Sequence, residues 1–252
     1  MNSAQQDRYS RQIRLAQIGE TGQQAIIDAS ALIIGVGGLG SPAAMYLAAA
    51  GIGKLVLCDF DVVETSNLQR QIIHNDNSVG EHKVDSGQQT LQALNPECEV
   101  ELVAYQLDEE ELKETIARVE IVLDCSDNYP TRFEVNRYCV ETATPLVSGA
   151  AIRLEGQIMN YQPGKGGSCY QCLYSQAYEN EESCELEGVL GPVVGVIGSL
   201  QALQALLIIA GEGAPLLGKL LLFDGSAMAW QSVTLPKNPN CPACGAGKSP
   251  GK

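Results

Sequence analysis

Positive charge is scarce in this chain. Sixteen Lys and Arg residues stand against thirty Asp and Glu, for a net charge of −14. Without a basic face to neutralise a phosphate backbone, nucleic acid is not an expected partner. Histidine is scarcer still: His74 and His82 are the only two. Neither has neighbours that would complete a metal or acid–base set, so both read as packed or solvated side chains. The opening residues show no basic segment leading into an apolar run and a small-residue cleavage site, which predicts a cytoplasmic protein. An uninterrupted membrane span is also lacking. Positions 189–211 carry no charge, but Gly191, Pro192, Gly195, Gly198, Ser199, Gln201 and Gln204 break up the stretch. It reads as a buried core or interface helix.

What the chain does have is length, glycine and alternation. Its 252 residues, 45% hydrophobic with 26 glycines, suffice for one large α/β domain. Residues 7–28 carry apolar groups at helical spacing; an isolated helix that short is marginal and must dock somewhere. Strand-like runs at 31–35, 54–59, 100–105 and 121–125 alternate with helical patterns at 42–50, 83–94 and 109–118, followed by a helix starting near Tyr129. That order predicts a Rossmann-like, doubly wound, mostly parallel sheet preceded by N-terminal helices. Beyond Pro145, short strands at 146–150, 157–161, 220–223 and 230–235 are separated by turns and predict an antiparallel C-terminal extension. The polar, acidic stretch 174–188 reads as a crossover loop.

The chemistry-bearing residues begin at Gly35-Val36-Gly37-Gly38-Leu39-Gly40. This G-x-G-x-x-G lies between a strand and a helix, where bare backbone can approach phosphate. Asp59 lies 19 positions past the last glycine, at a strand end, placed to bond a ribose. These two features alone would suit a dehydrogenase. The following Asn67-Leu68-Gln69-Arg70-Gln71, with Lys83 opening the next helix, suits a triphosphate better, because its charge must be neutralised before an α-phosphate is attacked. Solvated surface cations are the bland reading of Arg70 and Lys83. Asp127 follows the strand at 121–125, where it could anchor Mg2+ or cap the next helix; the two roles are compatible for the pair Asp127 and Asn128.

In order along the chain, Arg8-Tyr9-Ser10-Arg11-Gln12, the glycine motif, Asp59-Phe60-Asp61, Ser66-Asn67-Leu68-Gln69-Arg70-Gln71, Lys83, Asp124-Cys125-Ser126-Asp127-Asn128 and Ser148-Gly149-Ala150-Ala151 resemble the MoeB/ThiF family, bacterial relatives of the ubiquitin-activating enzymes. The resemblance covers residues 8–244. It implies ATP as substrate, with Gly38 and Asp59 holding the nucleotide, Asn67, Arg70 and Lys83 acting on its phosphates, and Asp127 binding Mg2+. The neighbouring Asp61, Ser66, Leu68, Gln69 and Asn128 complete the implied nucleotide set. It further implies a homodimer in which Arg11 reaches into the partner subunit's site. The implied reaction is attack by the C-terminal Gly-Gly carboxylate of a ubiquitin-like sulfur-carrier protein on the α-phosphate, giving an acyl-adenylate and pyrophosphate. A sulfur-donating enzyme is a further implied partner.

Nine cysteines, an odd count with several in apolar strands, suit a reducing compartment. Cys169-Tyr170-Gln171-Cys172 and Cys241-Pro242-Ala243-Cys244 are two C-x-x-C pairs with metal-ligand spacing, which predicts a structural four-sulfur Zn2+ site stapling the C-terminal region to the domain. Redox-active pairs or free thiols are the alternatives, and the family resemblance supports zinc. Cys184 lies among Glu181, Glu182 and Glu185, carboxylates that disfavour a thiolate. In the thiamine-pathway branch of the family, a cysteine here takes part in sulfur transfer; covalent and passive roles both stand. Cys58 and Cys125 read as core residues.

The chain is accordingly divided as one adenylating domain over 1–252: N-terminal helices at 1–29, a nucleotide-binding core at 30–150, a carrier-binding and zinc-stapled part at 151–244, and a flexible tail at 245–252. An NAD-dependent oxidoreductase and a non-catalytic zinc scaffold for a ubiquitin-like partner are the competing readings. The first lacks a hydride-relay residue; the second leaves Arg70, Lys83 and Asp127 unexplained. The segment 148–157 resembles the molybdopterin-synthase branch and 191–196 the thiamine branch, with the former favoured.

Overall fold

A computed structural model describes residues 1–174 and 187–245. Its centre is an eight-stranded sheet in the order β3-β2-β1-β4-β5-β6-β7-β8. Strands β1 (Ser30–Ile34), β2 (Lys54–Cys58), β3 (Glu99–Val103), β4 (Ile121–Asp124) and β5 (Leu146–Ile152) are parallel. Strands β6 (Glu155–Tyr161), β7 (Lys219–Asp224) and β8 (Ala229–Thr234) extend the sheet antiparallel. The sheet is therefore mixed, and the sequence reading placed its change of direction one strand early. The strand after Pro145 still runs parallel to β4, with Val122 opposite Leu146; the reversal comes at β6, because only the tight turn at residues 153–154 can reverse the chain.

Both faces of the parallel half are covered, so its inner strands β1, β2 and β4 read as near-continuous apolar runs, whereas the edge strand β3 alternates and keeps Glu99 and Glu101. In β1, Ala31 and Ile33 pack toward helices α3 (Gly19–Asp28), α4 (Gly40–Ala50), α5 (Lys83–Leu94) and α8 (Gly191–Ile209). Leu32 and Ile34 pack toward α6 (Glu109–Ala117) and α7 (Tyr129–Glu141) on the other face. Helix ends follow local chemistry. Asp108 caps α6, its carboxylate accepting from the Glu111 amide while its own amide donates to the Glu111 carboxylate. Gly51 ends α4 at φ +92°, and a Cβ there would lie 2.4 Å from the Tyr9 ring, so two constraints meet on one glycine.

The first helices, α1 (Ser3–Arg8) and α2 (Ser10–Ile13), dock through Tyr9, whose hydroxyl accepts from Asn95 Nδ2 at 2.9 Å, and Gln12, which donates to the Ala50 carbonyl at 3.0 Å. Helix α8 is the one described helix long and apolar enough to cross a membrane. Here it packs against α4, β5 and β6, with Gln201 fully buried and donating to the Asp124 carbonyl at 2.8 Å. Its polar residues are thus satisfied inside the fold.

Candidate functional site

The chain leaves β1 toward β2 on one side of it, and β4 returns on the other. This reversal opens a crevice at the carboxyl ends of β1 and β4. Gly35 follows β1 there at φ +87°, and a Cβ on it would press to 2.9 Å from the Cys125 carbonyl. Gly40 is tighter still: its Cβ would stand 2.0 Å from the Gly35 carbonyl oxygen. Only glycine allows this loop to fold onto the helix it precedes. His74 holds the same loop from below, with Nε2 3.0 Å from the Val36 carbonyl and Nδ1 2.9 Å from Ser86 Oγ on α5. Since a carbonyl can only accept, Nε2 carries the proton. Burial holds the His74 pKa below the usual imidazole range, as expected for a packed neutral ring.

A cavity of about 620 Å³ opens from this crevice. Gly37, Gly38, Asp59, Arg70, Gln71, Lys83 and Asp127 line its nucleotide-loop half. Asp59 accepts from the Val36 amide at 2.8 Å and the Asp61 amide at 2.9 Å, tying the glycine loop to the end of β2. Burial pushes its carboxyl above the ordinary range, opposed mainly by Lys83. Lys83 is buried, with Nζ 2.7 Å from Asp61 and 4.0 Å from Asp59; it is not a solvated surface cation. Arg70 donates to the Ser66 carbonyl at 3.1 Å.

Not every sequence-selected residue faces the cavity. Asn67 is buried and accepts from the Glu64 amide at 3.1 Å, ordering the turn that presents Arg70. Asp61, Ser66, Leu68, Gln69 and Asn128 flank the lining rather than forming it. The pair at the end of β4 divides its tasks: Asn128 caps α7 by accepting from the Thr131 amide at 3.0 Å, while Asp127 is exposed to the cavity. Arg11 is exposed on α2 and does not line its own chain's cavity; Arg8 donates to the Leu94 carbonyl at 3.2 Å. Cys184 lies outside the described residues.

Sequence reasoning missed Arg132. It is buried on α7, donates to the Gly149 carbonyl at 2.7 Å and to the Ser126 carbonyl, and sits 3.6 Å from Asp124. Its position four residues past the capping Asn128 was the available signal, since that spacing returns a side chain to the face over the β4 loop. The cavity's other wall was missed as well: Tyr129, Tyr170, Tyr174, Gln157, Leu222 and Trp230 line it, drawn from α7, the 169–174 segment, β6, β7 and β8.

The Sγ atoms of Cys169, Cys172, Cys241 and Cys244 all lie within 4.8 Å of one another. Cys169 and Cys241 are 3.6 Å apart, and Cys172 and Cys244 3.5 Å. Those separations are far longer than a disulfide of about 2.05 Å. They approach the edge of about 3.8 Å expected of a sulfur tetrahedron with Zn–S near 2.3 Å. The donor set therefore fits zinc.

A family model described as the ThiF family matches residues 9–243. The chain is 46% identical over 245 residues to the sulfur carrier protein ThiS adenylyltransferase of Escherichia coli (strain K12), covering 97% of each. It is 45% identical to the molybdopterin-synthase adenylyltransferase of the same organism, covering 94% of this chain and 96% of the relative. Among solved structures, Escherichia coli MccB with ATP is similar at a TM-score of 0.82 and 26% identity, covering 94% of this chain and 74% of that one.

Proposed function

The chain belongs to the ThiF family, and on that premise we infer that it adenylates the C-terminal carboxylate of a ubiquitin-like sulfur carrier at the expense of ATP. The observation that carries this reading is the convergence of the glycine loop, Asp59, the two cations Arg70 and Lys83, and Asp127 on one cavity. Two cations and a carboxylate at that point suit a triphosphate, whose charge must be balanced, and a hydride transfer leaves them without a task; the relatives named above are adenylyltransferases.

The reaction asks for alignment and charge stabilisation, not for an enzyme nucleophile. A carrier carboxylate oxygen bonds to the α-phosphorus as the bond to the bridging oxygen of the β-phosphate breaks, and pyrophosphate leaves. In this reading the backbone around Gly38 cradles phosphate, Asp59 holds the ribose, and Arg70 and Lys83 balance phosphate charge. Asn67 and its neighbours Ser66, Leu68 and Gln69 shape the turn behind Arg70, and Asp61 holds Lys83 in place. Asp127, with Asn128 fixing its loop, is the anchor for Mg2+, which when bound would neutralise charge on the phosphates. The aromatic wall receives the carrier's Gly-Gly tail. Zinc, held by the four cysteines, is structural, because a four-sulfur set leaves no open position.

The working unit is a homodimer in the cytoplasm, in which Arg11 completes the partner's site. Cys184 is a candidate for later sulfur chemistry with a sulfur-donating enzyme; the adenylation step does not require it. The two carriers are not separated by overall identity. The resemblance of residues 148–157 favours the molybdopterin-type carrier over the thiamine-type. Carrier-dependent ATP–pyrophosphate exchange with each purified carrier tests both levels: no exchange with either would refute the function, and exchange with the thiamine-type alone would reverse the preference.

A further inference from the structure

Helix α7 touches both the cavity and the cysteine cluster. Its first residues follow Asp127, Arg132 lines the cavity, and Asn136 lies one turn further on, fully buried. Both ends of the Asn136 amide are engaged. Its Nδ2 donates to Cys169 Sγ at 3.7 Å, and its Oδ1 accepts from the Tyr170 backbone amide at 2.8 Å. Tyr170 is itself buried and lines the cavity, its ring 5.6 Å from Phe133 on α7 and 4.9 Å from Tyr174. One carboxamide therefore spans a metal-ligand sulfur and the backbone of a cavity wall residue.

We propose that Asn136 is a positioning residue that couples metal occupancy of the four-cysteine cluster to the aromatic wall, so that the metal sets affinity for the carrier tail. This coupling rests on the function proposed above. Groups that hydrogen-bond a metal ligand fix its orientation. Here the same side chain also fixes Tyr170, so a shift of Cys169 on metal loss must move either Asn136, which is packed on all sides, or the Tyr170 backbone. The nucleotide loop has its own supports, His74 on the Val36 carbonyl and Asp59 on the Val36 amide, and shares with the cluster only the backbone of α7. Metal loss should thus raise the KM for the carrier and leave that for ATP alone. Because coupling between two binding events is reciprocal, bound carrier should slow metal release.

The experiment uses the zinc-loaded full chain and Asn136→Leu, which keeps the heavy-atom count and branching but removes donor and acceptor. Two quantities are read: zinc release into excess chromophoric chelator, and KM values in carrier-dependent pyrophosphate exchange. The expectation is release faster by about 10-fold or more, a comparable rise in KM for carrier, and kcat and KM for ATP within about twofold. Unchanged release, or faster release with an unchanged carrier KM, overturns the proposal. Should the variant fail to fold, hydrogen exchange on the wild type decides. Chelation should unprotect the Tyr170 amide while sparing α5, and a Tyr170 amide that stays protected refutes the link. A wild type inert toward every carrier would instead refute the function, and the release and exchange measurements would still test Asn136.

Discussion

The two halves of the cavity are built by different means. The nucleotide half is made of backbone: a glycine loop pressed to contact distance on the β4 loop, with side chains from one continuous stretch, residues 35–83, plus Asp127. The opposite wall is made of side chains from segments far apart in the chain, and its anchor joins Cys169 and Cys172 to Cys241 and Cys244 across 69 positions. The first half concentrates charge, while the second offers mainly aromatic and apolar surface. The difference separates the chemistry that all members of such a family must share from the recognition in which they can differ. It also predicts that damage to the first half removes turnover, whereas damage to the second removes affinity or stability.

The sharpest test of that division is Asp127→Ala. It should lower carrier-dependent exchange by on the order of 10³-fold with little change in thermal stability, since Asn128 and not Asp127 caps α7. Cys184→Ala should leave exchange largely intact, because adenylation needs no thiol. Loss of exchange in Cys184→Ala with the fold preserved would place a covalent step ahead of adenylation.

Next in size is a test across subunits. If Arg11 serves the partner's site, Arg11→Ala and Asp127→Ala homodimers are each nearly dead, but a hybrid carries one intact site and one lacking both groups. Random equal mixing makes half the dimers hybrids, so about a quarter of wild-type activity should return. A mixture that stays inactive after verified subunit exchange would remove Arg11 from the partner's site. The exposed guanidinium makes no hydrogen bond or ion pair among the described residues, which leaves it available for this role.

The same division explains what was legible in the sequence. The glycine motif, Asp59, Arg70 and Lys83 lie within fifty residues and obey local rules, so their convergence could be read from strand–helix order. The four cysteines announced themselves by paired spacing despite their separation. Arg132 and the aromatic wall were hidden because nothing local marks them: Arg132 looks like any helical arginine until β5 supplies the Gly149 carbonyl beside it. Tyr9 was hidden for the same reason, its burial depending on Gly51 and Asn95. The strand at residues 146–152 pairs differently on its two sides, parallel to β4 and antiparallel to β6, and pattern alone does not report pairing partners.

Replacing Cys241 should act on the second half only. Cys241→Ser should release zinc and lower stability by on the order of 3 kcal/mol, or about 6–12 °C in thermal midpoint for a chain of this size. ATP binding at temperatures where the fold persists should be retained. A variant as stable as the wild type, measured by calorimetry alongside zinc content, would show that the cluster does not staple the chain.

The smallest expected effect lies back in the nucleotide half, at His74. Its ring bonds the Val36 carbonyl through Nε2 and Ser86 through Nδ1, and burial depresses its pKa. The unfolded chain takes up a proton near the ordinary value of about 6.5, whereas the folded chain resists until the lower, native pKa. Between those two values the unfolded state binds more protons, so stability falls as pH falls, by at most about 1.4 kcal/mol per pH unit for one group. Above the unfolded value both states are neutral and the dependence vanishes. Carboxylates titrate lower and contribute their own slope, so the informative quantity is a difference: wild type against His74→Gln, each by denaturant midpoint between pH 7.5 and 5.5. The variant should be less stable at pH 7.5, having lost a fitted ring, but should lose less on acidification. Parallel pH profiles would mean that the glycine loop yields before His74 has to take up its proton, and that the backbone-built half is softer than its packing implies.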